Sequence, residues 1–140
     1  MAAQVQIQSV DASGQVIYAT FVIVLSGNYP TGGDLLNFTS GGVLPATQDP
    51  AFIGMLAGIE SSNCINIDVW SNGGGSVAGG NTVNYSCSRT IVNNVCNPAS
   101  GIKLKTGVLN TYGTEHSAAA YESAYLNDII VGMAVFLHLI

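Results

Sequence analysis

Four segments of the chain alternate polar and apolar residues one by one. Only an extended strand, with one face on a core, turns that pattern into a surface. Val5, Ile7 and Ser9 alternate with Gln4, Gln6 and Gln8. Ile65, Ile67 and Val69 alternate with Asn66, Asp68 and Trp70. Val83, Tyr85, Cys87, Arg89 and Ile91 alternate with Thr82, Asn84, Ser86, Ser88 and Thr90. Ile102, Leu104 and Thr106 alternate with Lys103 and Lys105. These segments read as antiparallel strands, each half-buried.

Two further runs are apolar on both faces: Val16 to Leu25 and Ile129 to Leu137. Both are rich in β-branched residues and too short to cross a bilayer as a helix, which takes about 20 residues. A strand of this kind needs cover on two sides. The reading favoured here puts the domain core on one side and a neighbouring subunit on the other; cover by the chain's own loops is the alternative.

Turn chemistry separates the strands. Ser26 to Asp34 (SGNYPTGGD) holds Pro and Gly where a reversal needs preset and positive φ, so Gly32 and Gly33 read as turn glycines and not as a phosphate loop. The stretch 71–81 (SNGGGSVAGGN) reads as a hairpin tip, and 93–101 as another loop with Asn97-Pro98 as its initiator. Helix is sparse: Pro50 to Ile59 allows a helical turn or a bent strand, and Ser117 to Leu126 allows a short helix or an ordered loop. The sum is roughly seven or eight short strands, an all-β fold. The expected architecture is a single antiparallel β-sandwich or jelly roll with short helical turns, one domain over residues 1–140.

Composition narrows the function. Only 8% of the residues are charged, and the net charge is −5. Arg89, Lys103 and Lys105 are the only Lys or Arg residues. A nucleic-acid backbone or an anionic membrane surface needs clustered cations, so neither is expected as a partner. The polar residues are mostly uncharged, and such a surface is cheaper to desolvate than a charged one. It suits a protein packed against copies of itself or a partner. The N-terminal residues carry no basic region and no apolar core of a signal peptide, so assembly in the cytoplasm is expected.

Candidates for chemistry are few. Cys64, Cys87 and Cys96 are an odd set at irregular spacing, best read as free thiols; a Cys87–Cys96 bridge stays open, and zinc spacing is absent. No Gly-x-Ser-x-Gly occurs. His138 lies in an apolar terminal strand. His116 stands between Glu115 and Ser117, but adjacent residues on an extended chain do not converge as a triad. A hydrolase would need His116 to meet a Cys or carboxylate in a pocket. Asp34, Asp49, Asp68 and Asp128 read as solvated or turn-capping carboxylates. Asn37-Phe38-Thr39 and Asn84-Tyr85-Ser86 match the glycosylation pattern by chance. Trp70, Tyr85, Tyr112, Tyr121 and Tyr125 suit either a sugar platform or a protein interface, and the low charge favours the interface. No catalytic, cofactor-binding or metal-ligating residue is assigned, and an enzyme is not expected.

Two stretches carry a family resemblance. The segment from Phe21 to Asp34 (FVIVLSGNYPTGGD) resembles one in small head proteins of tailed phages, where a strand leads into a Ser-x-x-Tyr-x-Thr-Gly-Gly-Asp/Glu turn. The segment from Glu115-His116-Ser117-Ala118-Ala119-Ala120-Tyr121 through Val135-Phe136 resembles their closing segment, in matching order and distance. The middle of the chain, from Asn72 to Pro98, is unlike these proteins. The resemblance implies a capsid decoration, or cement, protein: a β-rich, often trimeric subunit that clamps neighbouring capsomers. Its implied partners are the major capsid protein and its own copies, and its implied place is the exterior of the virion. The alternative expectation is a carbohydrate- or receptor-binding module of a phage tail or fibre, with Trp70 at its centre.

Overall fold

The computed structural model describes residues 3–36, 38, 43–45, 49, 56, 59, 63–72, 83–89, 91–92, 95–96, 102–108, 110 and 113–137. Strand β1 (Gln4–Ser13) turns through Gly14 and Gln15 into β2 (Val16–Val24). Gly14 has φ +62°, the positive φ that two-residue hairpin loops demand at their first position. Along the chain follow β3 (Asn28–Tyr29), β4 (Asp34–Leu35), β5 (Val43–Pro45), β6 (Cys64–Ser71), β7 (Tyr85–Arg89), β8 (Ile91–Val92), β9 (Val95–Cys96), β10 (Ile102–Thr106) and β11 (Ala119–Ala120). A single helical turn, α1 (Ser123–Leu126), precedes the last strand, β12 (Ile130–Leu137).

The expected all-β class holds. A five-stranded sheet runs β5-β1-β2-β12-β6, and a three-stranded sheet runs β4-β10-β7. Pairs β3–β11 and β8–β9 complete the pattern. Pairing is antiparallel except for β1 with β5. The two larger sheets are tied where Ala3 N–H donates to Leu35 O at 3.0 Å, while Leu36 N–H, donating to Ile102 O at 2.9 Å, extends the β4–β10 pairing.

One buried cluster draws on both sheets. It joins Val5, Ile7, Ile17, Ala19, Phe21, Ile23, Ala134 and Phe136 to Leu36, Ile102 and Leu104. Phe38 sits among them, with its ring 5.4 Å from those of Phe21 and Phe136. Burying such side chains stabilises a fold by about 1.5–3 kcal/mol each.

Two bulges move residues off their expected faces. β1 slips between Ile7 and Ser9, so Ser9 pairs with Thr20 on the outer face instead of joining Val5 and Ile7, and Val10 takes the core-side place. β6 slips against β12 at Val135/Phe136, which leaves Ile65 exposed and gives its inward position to Cys64. Ile102, Leu104 and Thr106 are buried as expected, with the lysines between them turned outward. The segment 117–126 divides into β11 and α1. Most of the stretches 50–59, 71–81 and 93–101, together with Asn37, Thr39, Tyr112 and His138, lies outside the described residues. Among the described residues, no helix is long and apolar enough to cross a membrane.

Candidate functional site

The two stretches singled out in the sequence meet in space. β3 pairs with β11, setting Tyr29 against Ala119 and Asn28 against Ala120, and Tyr121 N–H donates to Gly27 O at 3.1 Å. Between β3 and β4 the chain reverses: Gly33 N–H donates to Pro30 O at 3.1 Å, and Gly32 holds φ +92°, as the third position of a type II turn requires. Gly33 has φ +117°, and a Cβ there would stand 3.0 Å from Leu104 O. The turn therefore lies directly on β10.

This turn delivers Tyr29 into a second buried cluster with Tyr121 and Tyr125. The Tyr29 hydroxyl donates to Glu115 Oε1 at 2.5 Å, and Gly32 N–H donates to the same oxygen at 3.2 Å. The hydrogen bond from Tyr29 holds the Glu115 carboxyl below its ordinary range. Burial, and then the hydrogen bond to Glu115, pushes the Tyr29 phenol well above its own. Asp34 Oδ2 accepts from Ser26 Oγ at 2.8 Å, Ser26 N–H at 3.2 Å and the Tyr121 hydroxyl at 3.3 Å. The cluster is a clasp between distant parts of the chain.

His116 is the third wall of this clasp. Its ring lies 5.2–5.7 Å from those of Tyr29, Tyr121 and Tyr125. Nε2 stands 2.9 Å from Glu122 Oε2, and Nδ1 contacts Ser117 O. The hydrogen bond from His116 draws the Glu122 carboxyl below its ordinary range. His116 thus does meet a carboxylate, as a hydrolase would need. Yet the ring is buried, both nitrogens are engaged, and it lines neither of the described cavities.

The other candidates stay apart. Asp128 accepts from Ser71 Oγ at 2.7 Å and from the Tyr85 hydroxyl at 2.8 Å, tying β6 and β7 to the start of β12. Asp49 and Asp68 are exposed. Among the described residues, no three His, Cys, Asp or Glu side chains gather as a metal site. Cys87 is a free thiol, and burial pushes its pKa up to about 12, so it stays protonated at neutral pH. Cys64 is buried in the core. The Cys96 side chain lies outside the described residues.

The outer face of the five-stranded sheet is the second feature. Among the described residues, the doubly apolar runs are buried on one face and half-buried to exposed on the other. Ile17, Ala19, Phe21 and Ile23 of β2, with Ile130, Ala134 and Phe136 of β12, enter the core. On the opposite face Val131 pairs with Val22, Met133 with Thr20, Val135 with Tyr18 and Leu137 with Val16. Val24 is 56%, Met133 49% and Tyr18 44% exposed, and Trp70, beside Val131, is 40% exposed. The adjacent strands β2 and β12 so present an apolar stripe, flanked by Gln4, Gln6 and Asp11 on β1 and by Asn66 and Asp68 on β6. Trp70 was expected here. Met133, Val24 and Tyr18 were legible only as the second face of the apolar runs.

Comparison with known proteins returns no match: no family model, no curated protein and no solved structure matches the chain.

Proposed function

We propose that this chain is a structural protein of a phage virion, a decoration subunit that stabilises the capsid exterior by bridging neighbouring capsomers. In this reading the two larger sheets act as a rigid sandwich. The partners are the major capsid protein and further copies of the chain, most simply in a homotrimer. The observation that carries the proposal is the exposed apolar stripe on β2 and β12, set in a surface with almost no charge. Apolar area of this kind marks a contact face more often than a solvated one. The resemblance of the clasp segments to phage head proteins supports the same role. Several weak contacts made by linked copies add through multivalency, which is what a bridging subunit needs. Trp70, on β6, borders the stripe beside Val131, which favours an interface over an isolated sugar platform.

The test is direct. The purified protein is expected as a trimer by light scattering and should bind intact heads that lack it. Met133→Lys places a cation in the stripe beside Asp68, where the fold tolerates it. It should keep the melting temperature and lose assembly. A monomer with no affinity for heads would refute the proposal.

A further inference from the structure

We propose that the cavity between Lys105 and Glu115 binds a small zwitterion, an α-amino acid or short peptide that carries both an ammonium and a carboxylate. The cavity, about 400 Å³, opens where β7 and β10 meet the segment before β11. Asn84, Ser86, Gly113 and Thr114 line it together with the two charged residues. Its volume falls within the range of small-ligand sites. A backbone bridge from Gly107 to Glu115, and hydrogen bonds from Gly107 N–H to Asn84 O and Val108 N–H to Thr114 O, hold the walls in place.

Charge selects the ligand. Glu115 is a prepositioned carboxylate: Oε1 is fixed by the Tyr29 hydroxyl and Gly32 N–H, and among the described residues Oε2 receives no hydrogen bond. Lys105 is exposed, and among the described residues it makes no ion pair. The two charges feel one another, since Lys105 helps hold the Glu115 carboxyl low, yet they are not in contact. A lone anion entering the cavity meets repulsion from Glu115, and a lone cation meets it from Lys105. A neutral sugar offers a counter-charge to neither of these two exposed side chains. A ligand with opposite ends gains a charge-assisted hydrogen bond at each, roughly twice as strong as a neutral one. Asn84, Ser86 and Thr114 supply uncharged donors and acceptors between the ends.

The proposal does not depend on the decoration role. Amide NMR titration with glycylglycine at neutral pH should give saturable shifts at Ser86, Gly107 and Thr114. N-acetylglycylglycine, which lacks the ammonium, should bind roughly ten-fold more weakly, and so should glycylglycine to Lys105→Met, each losing one charge-assisted contact. Lys105 is exposed and touches the clasp only through its weak charge effect on Glu115, so its variant should fold as the parent does. Glu115→Gln tests the other end but also loosens Tyr29, so Lys105→Met decides. The absence of saturable shifts would overturn the proposal. So would equal binding of the acetylated peptide or of a neutral disaccharide, or undiminished binding by Lys105→Met.

Discussion

Gly132 has no room for a side chain. A Cβ there would stand 2.5 Å from Cζ of Phe21 and 2.7 Å from the backbone oxygen of Asp68 on the adjoining strand. Phe21 packs edge-on against Phe38 within the buried core, and the Asp68 oxygen belongs to backbone. Gly132→Ala is therefore expected to destabilise the fold by about 1–3 kcal/mol, measured by urea denaturation. At Glu115 the governing variable is pH. Its folded pKa lies below the ordinary value of 4.5, so its contribution is fully present above that value and is lost as pH falls through the folded one. Glu122 behaves alike through His116. Thermal melts from pH 7 to pH 3 should show stability falling on the acid side, with a shallower fall in Glu115→Gln than in the parent. Cys87 makes the opposite point: a thiol with its pKa near 12 offers almost no thiolate at pH 7, so a maleimide should label it only slowly until the protein is unfolded.

At the scale of elements, β2 and β12 do two jobs with one sequence pattern. Inward side chains fill the core, and outward ones form a half-exposed stripe. Polar substitutions at outward positions should separate assembly from folding: Val24→Ser and Tyr18→Ser should shift the melting temperature by little and weaken self-association, as light scattering over a concentration series would report. The alternation in β10 and the inward positions of Tyr85 and Cys87 were legible because burial follows sequence parity in an unbroken strand. Parity fails at Gln8 and Ile65, where bulges insert a residue, and nothing in the local composition marks them. The Gly14 hairpin was equally silent: a single Gly beside Gln is a weak turn signal. The turn at Gly32 and Gly33 was readable, because Pro, Thr and paired Gly leave few other conformations. The partners of His116 were not, since Glu122 and the three tyrosines reach it only after β3 and β11 have paired.

For the molecule as a whole, a surface poor in charge sets how association should respond to solvent. Screening acts on charges, so head binding and self-association are expected to change little between low and high salt, whereas an interface built on ion pairs would weaken. Sedimentation at two ionic strengths distinguishes the two. The tyrosine clasp has a consequence in time. Tyr121 and Asp34 are 87 residues apart in sequence, and Tyr29 and Glu115 are 86. Closing loops of that length is entropically costly until much of the intervening chain is already in place. The clasp should therefore be one of the last parts to form and one of the first to open. Tyr29→Phe, which removes about 1 kcal/mol of hydrogen bonding, should accelerate unfolding in stopped-flow experiments while leaving the refolding rate nearly untouched.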